Sequence, residues 1–193
     1  MVHTRELDTP IGTLTVAGRD GRVCLVHFGA ADDHVSRWIR KWYPEEAVER
    51  HDDPGGAIAS LEAYFAGELD ALDSIAVEMK GTPFQLRTWT ALRSVPAGQT
   101  ATYAQIARMI EAPSAVRAVG AANGANPIAV IVPCHRIIGS NGSLTGYGGG
   151  LERKQWLIRH EQRQGQLVEL ATARVPHAYS GDPATRLAGP NSL

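Results

Sequence analysis

The spacing of apolar residues changes near residue 80, and that change limits the fold more than any other feature of the chain. Before it, Thr13–Ala17 and Arg22–Phe28 read as strands around the turn signal Gly18-Arg-Asp-Gly21. Residues 31–42 predict a helix, with Val35, Trp38, Ile39 and Trp42 at helical spacing. Residues 56–67 predict a second helix, with Ile58, Leu61, Tyr64 and Phe65 on one face and Gly67 as its stop. Leu69–Lys80 reads as a connector.

After the connector the pattern is mostly helical. Phe84–Ser94 is amphipathic and ends at the turn Val95-Pro-Ala-Gly98. Thr102–Ile110 predicts a short helix with Thr100 or Thr102 as N-cap. A break at Glu111-Ala-Pro113 follows, and Ser114 is placed to cap a helix over Ala115–Ala122. Two short helices about a tight turn make a helix-turn-helix pattern. Ile128-Ala-Val-Ile-Val132 predicts a buried strand leading into Pro133-Cys134-His135-Arg136. A glycine-rich loop, Gly139–Gly150, and an amphipathic helix over Leu151–Gln162 complete this region. The expected fold is therefore α/β of the α+β kind. Residues 1–80 form a small antiparallel sheet with two helices, and 81–163 a mainly helical domain. Residues 164–193 have no sustained period and read as an irregular, partly disordered tail.

At 193 residues and 44% hydrophobic, the chain can bury a core in one large domain or two small ones. Two cysteines, Cys24 and Cys134, cannot build a disulfide framework. No apolar run approaches the roughly 20 residues of a membrane helix, and the N-terminus has no signal-like stretch. A soluble protein of the reducing cytoplasm, with no membrane contact, is expected. Charge is divided unevenly: residues 1–79 hold 7 basic and 15 acidic side chains, and residues 80–163 hold 10 basic and 3 acidic. Balances of −8 and +7 point to two modules, the second facing a polyanion.

The chemistry centres on Cys134. Pro133 ends regular pairing and sets the thiol at the head of a turn. A thiol becomes a strong nucleophile as thiolate, which needs a base or a positive charge nearby. His135 could be that base, directly or through a water, with Glu161 fixing its tautomer. Taken alone, a buried cysteine is more often core filler than a nucleophile.

The motif has company. Asn126-Pro-Ile-Ala-Val-Ile-Val-Pro-Cys-His-Arg136 and Leu144-Thr-Gly-Tyr-Gly-Gly149 resemble the active-site signature of the O6-alkylguanine-DNA alkyltransferases. Gly81-Thr-Pro-Phe-Gln85, Val95-Pro-Ala-Gly98 with Thr102-Tyr103, Val116-Arg-Ala-Val-Gly120 and Trp156-Leu-Ile-Arg-His-Glu161 agree with it in order. Leu7-Asp-Thr-Pro-Ile-Gly12 resembles the family's N-terminal domain more loosely. The resemblance implies a ribonuclease-H-like N-terminal domain and a winged-helix-like C-terminal domain. It implies repair by direct damage reversal: an O6-alkylguanine, with O4-alkylthymine as the alternative lesion, flips out of the duplex and gives its alkyl group irreversibly to Cys134. By the same resemblance His135 takes the thiol proton through a water under the influence of Glu161, and Asn126 ties the turn before the cysteine by hydrogen bonds. Tyr147 and the backbone of Thr145, Gly146 and Gly148 line the base pocket, and Tyr103 donates toward the guanine or presses on its phosphate. Arg117 enters the base stack from a helix lying in the minor groove.

Residue types support these roles. Helix 115–122 is mostly small, with Ala118 and Ala121 allowing close approach and with Arg117 and Asn123 as its main polar groups. That composition predicts largely sequence-independent contacts, to which Arg136 is expected to add. Double-stranded DNA is the expected partner, and the free protein is expected to be a monomer. No cofactor is expected: P-loop and dinucleotide fingerprints are missing, and Cys24 with His27 lack the further ligands of a zinc site. The competing readings are a non-catalytic binder of alkylated DNA, a winged-helix regulator and a cysteine hydrolase. The binder would lack Cys134, the regulator would carry base-reading side chains on 115–122, and the hydrolase would turn over.

Overall fold

Asp20 and Gly21 reverse the chain with φ of 49° and 71°, the left-handed pair that a two-residue hairpin loop requires. This turn sets β2 (Leu14–Arg19) antiparallel to β3 (Arg22–Phe28). In this computed structural model, which describes residues 1–172, β1 (Val2–Leu7) and β4 (Val48–Arg50) complete a sheet of order β3-β2-β1-β4. The expected antiparallel sheet has one parallel edge, because β4 runs alongside β1 in the same direction. Neither β1 nor β4 was foreseen, and β4 is three exposed residues without a readable pattern.

Both faces of the sheet are covered. Register passes from Ala17–Leu25 to Gly18–Val23, so Cys24 is the extra residue of a bulge. Cys24 and Leu25 consequently pack on the same side, with Val35 and Ile39 of α1 (Asp33–Trp42). Asp32 caps that helix, accepting from the backbone N–H groups of His34 and Val35 at 2.9 and 3.0 Å. On the opposite face Leu14, Val16 and Val26 meet Ile58, Leu61 and Tyr64 of α2 (Ile58–Ala66). That core continues without a break into the helical half, through Trp89, Ile106, Val119 and Leu157.

Two Thr-x-x-Gln capping boxes start helices in the second half: Thr82 with Gln85 for α3 (Pro83–Arg93), and Thr102 with Gln105 for α4 (Tyr103–Met109). Trp89 is buried and donates from Nε1 to Ala122 O at 2.8 Å, tying α3 to α5 (Val116–Gly124). Ser114 does not cap α5. The N-cap is Ala115, without a side-chain bond, because Pro113 and Ser114 occupy the middle of a turn closed by Ala115 N–H to Ala112 O.

Two further expectations are corrected. Ile128–Val132 is buried as expected, yet it is not a strand. Ile128 makes one parallel bridge to Val26, after which the chain folds on itself, with Val132 N–H donating to Ile128 O. An apolar run signals burial, and here a coil is what is buried. Short parallel strands lie elsewhere, at β5 (Ala101–Thr102) and β6 (Ile137–Ile138). The last helix, α6, spans Leu151–Thr172, well past the expected end at Gln162, so the start of the supposed irregular tail is helical. The expectation for 173–193 lies outside the described residues.

Candidate active site

The coil before the cysteine is tightly wound. Val130 adopts φ +70°, a region that a β-branched residue occupies at a cost of roughly 1–3 kcal/mol. Asn126 braces this coil from inside. Its Oδ1 accepts from Ile128 N–H at 3.0 Å, and its Nδ2 donates to Val132 O at 2.8 Å and to Cys134 Sγ at 3.0 Å. Asn123 Nδ2 donates to Cys134 O at 3.3 Å. The cysteine thus opens a short 3-10 turn, Cys134–Arg136, with both its sulfur and its carbonyl held by asparagine amides.

Behind the turn lies a buried polar cluster. His135 is 0% exposed, and its Nε2 donates to Glu161 Oε1 at 2.8 Å. That bond leaves Nδ1 as the basic nitrogen, and among the described residues no group pairs with it. Glu161 also accepts from Tyr64 Oη at 2.8 Å and from Gly98 N–H at 3.0 Å. Arg136 donates to Glu161 through Nε and NH2 and to Val95 O through NH1 at 2.6 Å. Arg136 is therefore spent inside the protein, and its expected contact with DNA is corrected. The Val95–Gly98 turn supplies a carbonyl to Arg136 and an amide to Glu161, which accounts for its place among the motifs.

Lys154 closes the far side. It is 0% exposed and donates from Nζ to Ile137 O at 2.6 Å and to Thr145 O at 2.9 Å. Sequence reasoning missed it. Lys154, Leu157 and Glu161 fall at i, i+3 and i+7 on the inward face of α6, a spacing that could have flagged it.

These surroundings set the protonation states. Burial pushes the Cys134 thiol up, opposed by the Asn126 hydrogen bond and the charge of Lys154. Burial holds His135 below the usual imidazole range despite Glu161, which leaves it neutral and able to accept a proton at neutral pH. For Glu161, burial works against ionisation, but the hydrogen bonds from His135 and Arg136 and the charge of Arg136 outweigh it and hold the carboxyl well below its ordinary range.

Cys134 lines a cavity of about 280 Å³ together with Asn123, Asn126, Tyr147 and Gly148. The N-terminal half contributes His27, Phe28 and His34 to the same cavity, which sequence reasoning did not anticipate. Tyr147 Oη and Asn123 Oδ1 are buried and have no hydrogen-bond partner among the described residues. The larger surface groove of about 490 Å³ beside Thr4 and Asp52 is lined by no cysteine. Tyr103, Thr145 and Gly146 do not line the cavity. Tyr103 Oη donates to Thr145 O at 3.2 Å and so links the glycine-rich loop to the helix-turn-helix. Arg117, Ala118 and Ala121 share the exposed face of α5 with Gly124 and Ala125, while Asn123 faces inward beneath the cysteine.

Residues 83–163 match the family model described as 6-O-methylguanine DNA methyltransferase, DNA binding domain, and residues 2–79 match the ribonuclease-like domain of the same description. A methylated-DNA–protein-cysteine methyltransferase of Salmonella typhimurium is 45% identical over 159 residues, covering 81% of this chain and 93% of the relative. One of Mycobacterium tuberculosis is 46% identical over 165 residues, covering 84% and 93%. The crystal structure of Mycobacterium tuberculosis O6-methylguanine methyltransferase superposes with a TM-score of 0.70 at 44% identity, over 85% of this chain and 94% of that one. The structure of Mycobacterium tuberculosis OGT in complex with DNA gives 0.69 at 44% identity, over 84% and 94%.

Proposed function

Because the chain belongs to the 6-O-methylguanine DNA methyltransferase family, we propose that Cys134 is the residue that receives the alkyl group. The protein repairs DNA by transferring an alkyl group from DNA to one of its own cysteines; it is a methylated-DNA–protein-cysteine methyltransferase that binds DNA. The observation that carries the assignment is the setting of one sulfur. Cys134 faces the cavity, takes a hydrogen bond from Asn126, and is followed by a histidine with one free nitrogen whose other nitrogen is held by a buried carboxylate. Cys24, by contrast, is buried in the bulge, donates to Ala17 O, and is pushed up to about 11 by burial.

In this reading the lesion is an O6-alkylguanine swung out of the duplex into the cavity. His135 Nδ1 accepts the thiol proton through a water, and the imidazolium is stabilised by Glu161. The sulfur attacks the alkyl carbon. An S–C bond forms, the C–O6 bond breaks, and the electron pair leaves with guanine oxygen. The guanine regains a proton, so the net change is exchange of the thiol hydrogen for the alkyl group. Tyr147 Oη and Asn123 Oδ1 supply buried polar groups for the base edge. Regenerating the thiol would require the cysteine thiolate to leave from an unactivated alkyl carbon, which it does poorly, so each molecule acts once.

The exposed small-residue face of α5 enters the minor groove, and Arg117 fills the gap left by the base. Residues 1–80 and 81–163 are two domains built on one shared core, and the second meets DNA. The free protein is a monomer working in the reducing cytoplasm, where the thiol stays available. The test is stoichiometry. Excess duplex carrying labelled O6-methylguanine should deliver one methyl per protein and then stop, and Cys134→Ala should accept none while still binding the duplex. Repeated turnover, or labelling of the Cys134→Ala protein, would refute the assignment.

A further inference from the structure

Phe28 sits at the end of β3, in the half of the molecule that carries no catalytic group, yet it lines the cavity that holds Cys134. Three contacts fix its ring. The Arg153 guanidinium lies over it at 5.2 Å from the centroid. Tyr147 meets it edge-on, with centroids 5.8 Å apart. Gly149 presses on it so closely that a Cβ there would lie 2.5 Å from Phe28 Cδ2 and Cε2. Arg153 itself is anchored on both sides, donating from Nε to Ile11 O at 2.8 Å and from NH1 to Gly149 O at 2.9 Å. To swing aside, the ring would have to give up its packing on Arg153, Tyr147 and Gly149.

From this arrangement we infer that Phe28 is the specificity-determining wall of the acceptor cavity, limiting the bulk of the alkyl group that Cys134 can take. The inference rests on the proposed role of Cys134 and adds to it a size limit set from outside the DNA-binding half. At about 280 Å³ the cavity falls just below the range typical of pockets for drug-sized ligands. A purine with a methyl group needs far less depth than one with a benzyl group, and the extra ring must displace an immobilised wall. Removing the Phe28 ring opens that side, whereas shortening it to leucine opens it in part.

The experiment compares single-turnover transfer from two duplexes that differ only in carrying O6-methylguanine or O6-benzylguanine. It uses the full chain, Phe28→Leu and Phe28→Ala. The benzyl-to-methyl rate ratio should rise in both variants, reaching about tenfold in Phe28→Ala, the scale on which apolar pockets discriminate size. A general loosening of the loop would slow both substrates together and leave the ratio unmoved. An unchanged or lowered ratio in both variants overturns the inference. Failure of the unsubstituted protein to accept methyl at all overturns the parent assignment of Cys134 as well, so the two failures are distinguishable.

Discussion

At Glu161 one carboxylate accepts hydrogen bonds from Tyr64, Gly98, His135 and Arg136. Its substitution tests whether the cluster serves chemistry or only stability. Glu161→Gln leaves the Arg136 guanidinium buried without its counter-charge, which should cost about 3–5 kcal/mol of stability. It also removes support for the imidazolium, so alkyl transfer should slow even at temperatures where the variant is folded. A denaturant titration and a single-turnover rate measured side by side separate the two effects. The pH response follows from the same residues. His135 and Glu161 are both held below their ordinary values, so the unfolded chain binds more protons than the folded one. Stability should therefore fall as pH drops below the ordinary imidazole value of 6.5, and fall further below the ordinary carboxyl value of 4.5. Melting temperature against pH should lose the lower limb in Glu161→Gln. A limb that persists would assign the acid sensitivity to other groups.

Thr102 ends β5 and caps α4, the first helix of the helix-turn-helix, through its capping box with Gln105. Thr102→Ala should cost about 1 kcal/mol, read from a shifted denaturation midpoint at unchanged slope. Such caps are local, which is why α1 to α4 were legible in the sequence to within a residue or two. Apolar spacing and punctuation by threonine, aspartate and glycine suffice there. The Cys134 coil was legible in its burial and illegible in its path, because Val130 at positive φ and the Asn126 bonds replace strand pairing. The site divides in the same way. Cys134, His135 and Glu161 could be singled out by the chemistry of their residue types, and Asn126 by the family resemblance. Tyr64, Phe28 and Arg153 could not, since only the packing of the N-terminal half against α6 and the glycine-rich loop brings Tyr64 to Glu161 and sets Phe28 beside Arg153 at the cavity. Arg136 was misplaced because a cation in a basic segment reads as surface charge, whereas Glu161 draws it inside.

Across the whole molecule the basic surplus lies in the half that carries α5, and the acidic surplus in the half that forms the sheet. The continuous core joins the halves, and the acidic half lends His27, Phe28 and His34 as walls to the cavity. Affinity for duplex should fall at least about tenfold between roughly 50 and 200 mM salt, the decrease expected when two or more phosphates are neutralised. Filter binding across that range checks it, and a flat response contradicts groove binding through α5. Arg117→Ala should lower transfer from duplex by roughly tenfold through lost stacking, while a lesion in a single strand, which needs no flipping, is affected less. The most direct test of the whole account is peptide mass spectrometry after mixing the protein with duplex containing O6-methylguanine. The account predicts that the peptide containing Cys134 gains the mass of a single CH2 on its sulfur and that the peptide containing Cys24 gains nothing. An unmodified Cys134 beside repaired DNA, or a methyl found on any other residue, would contradict it.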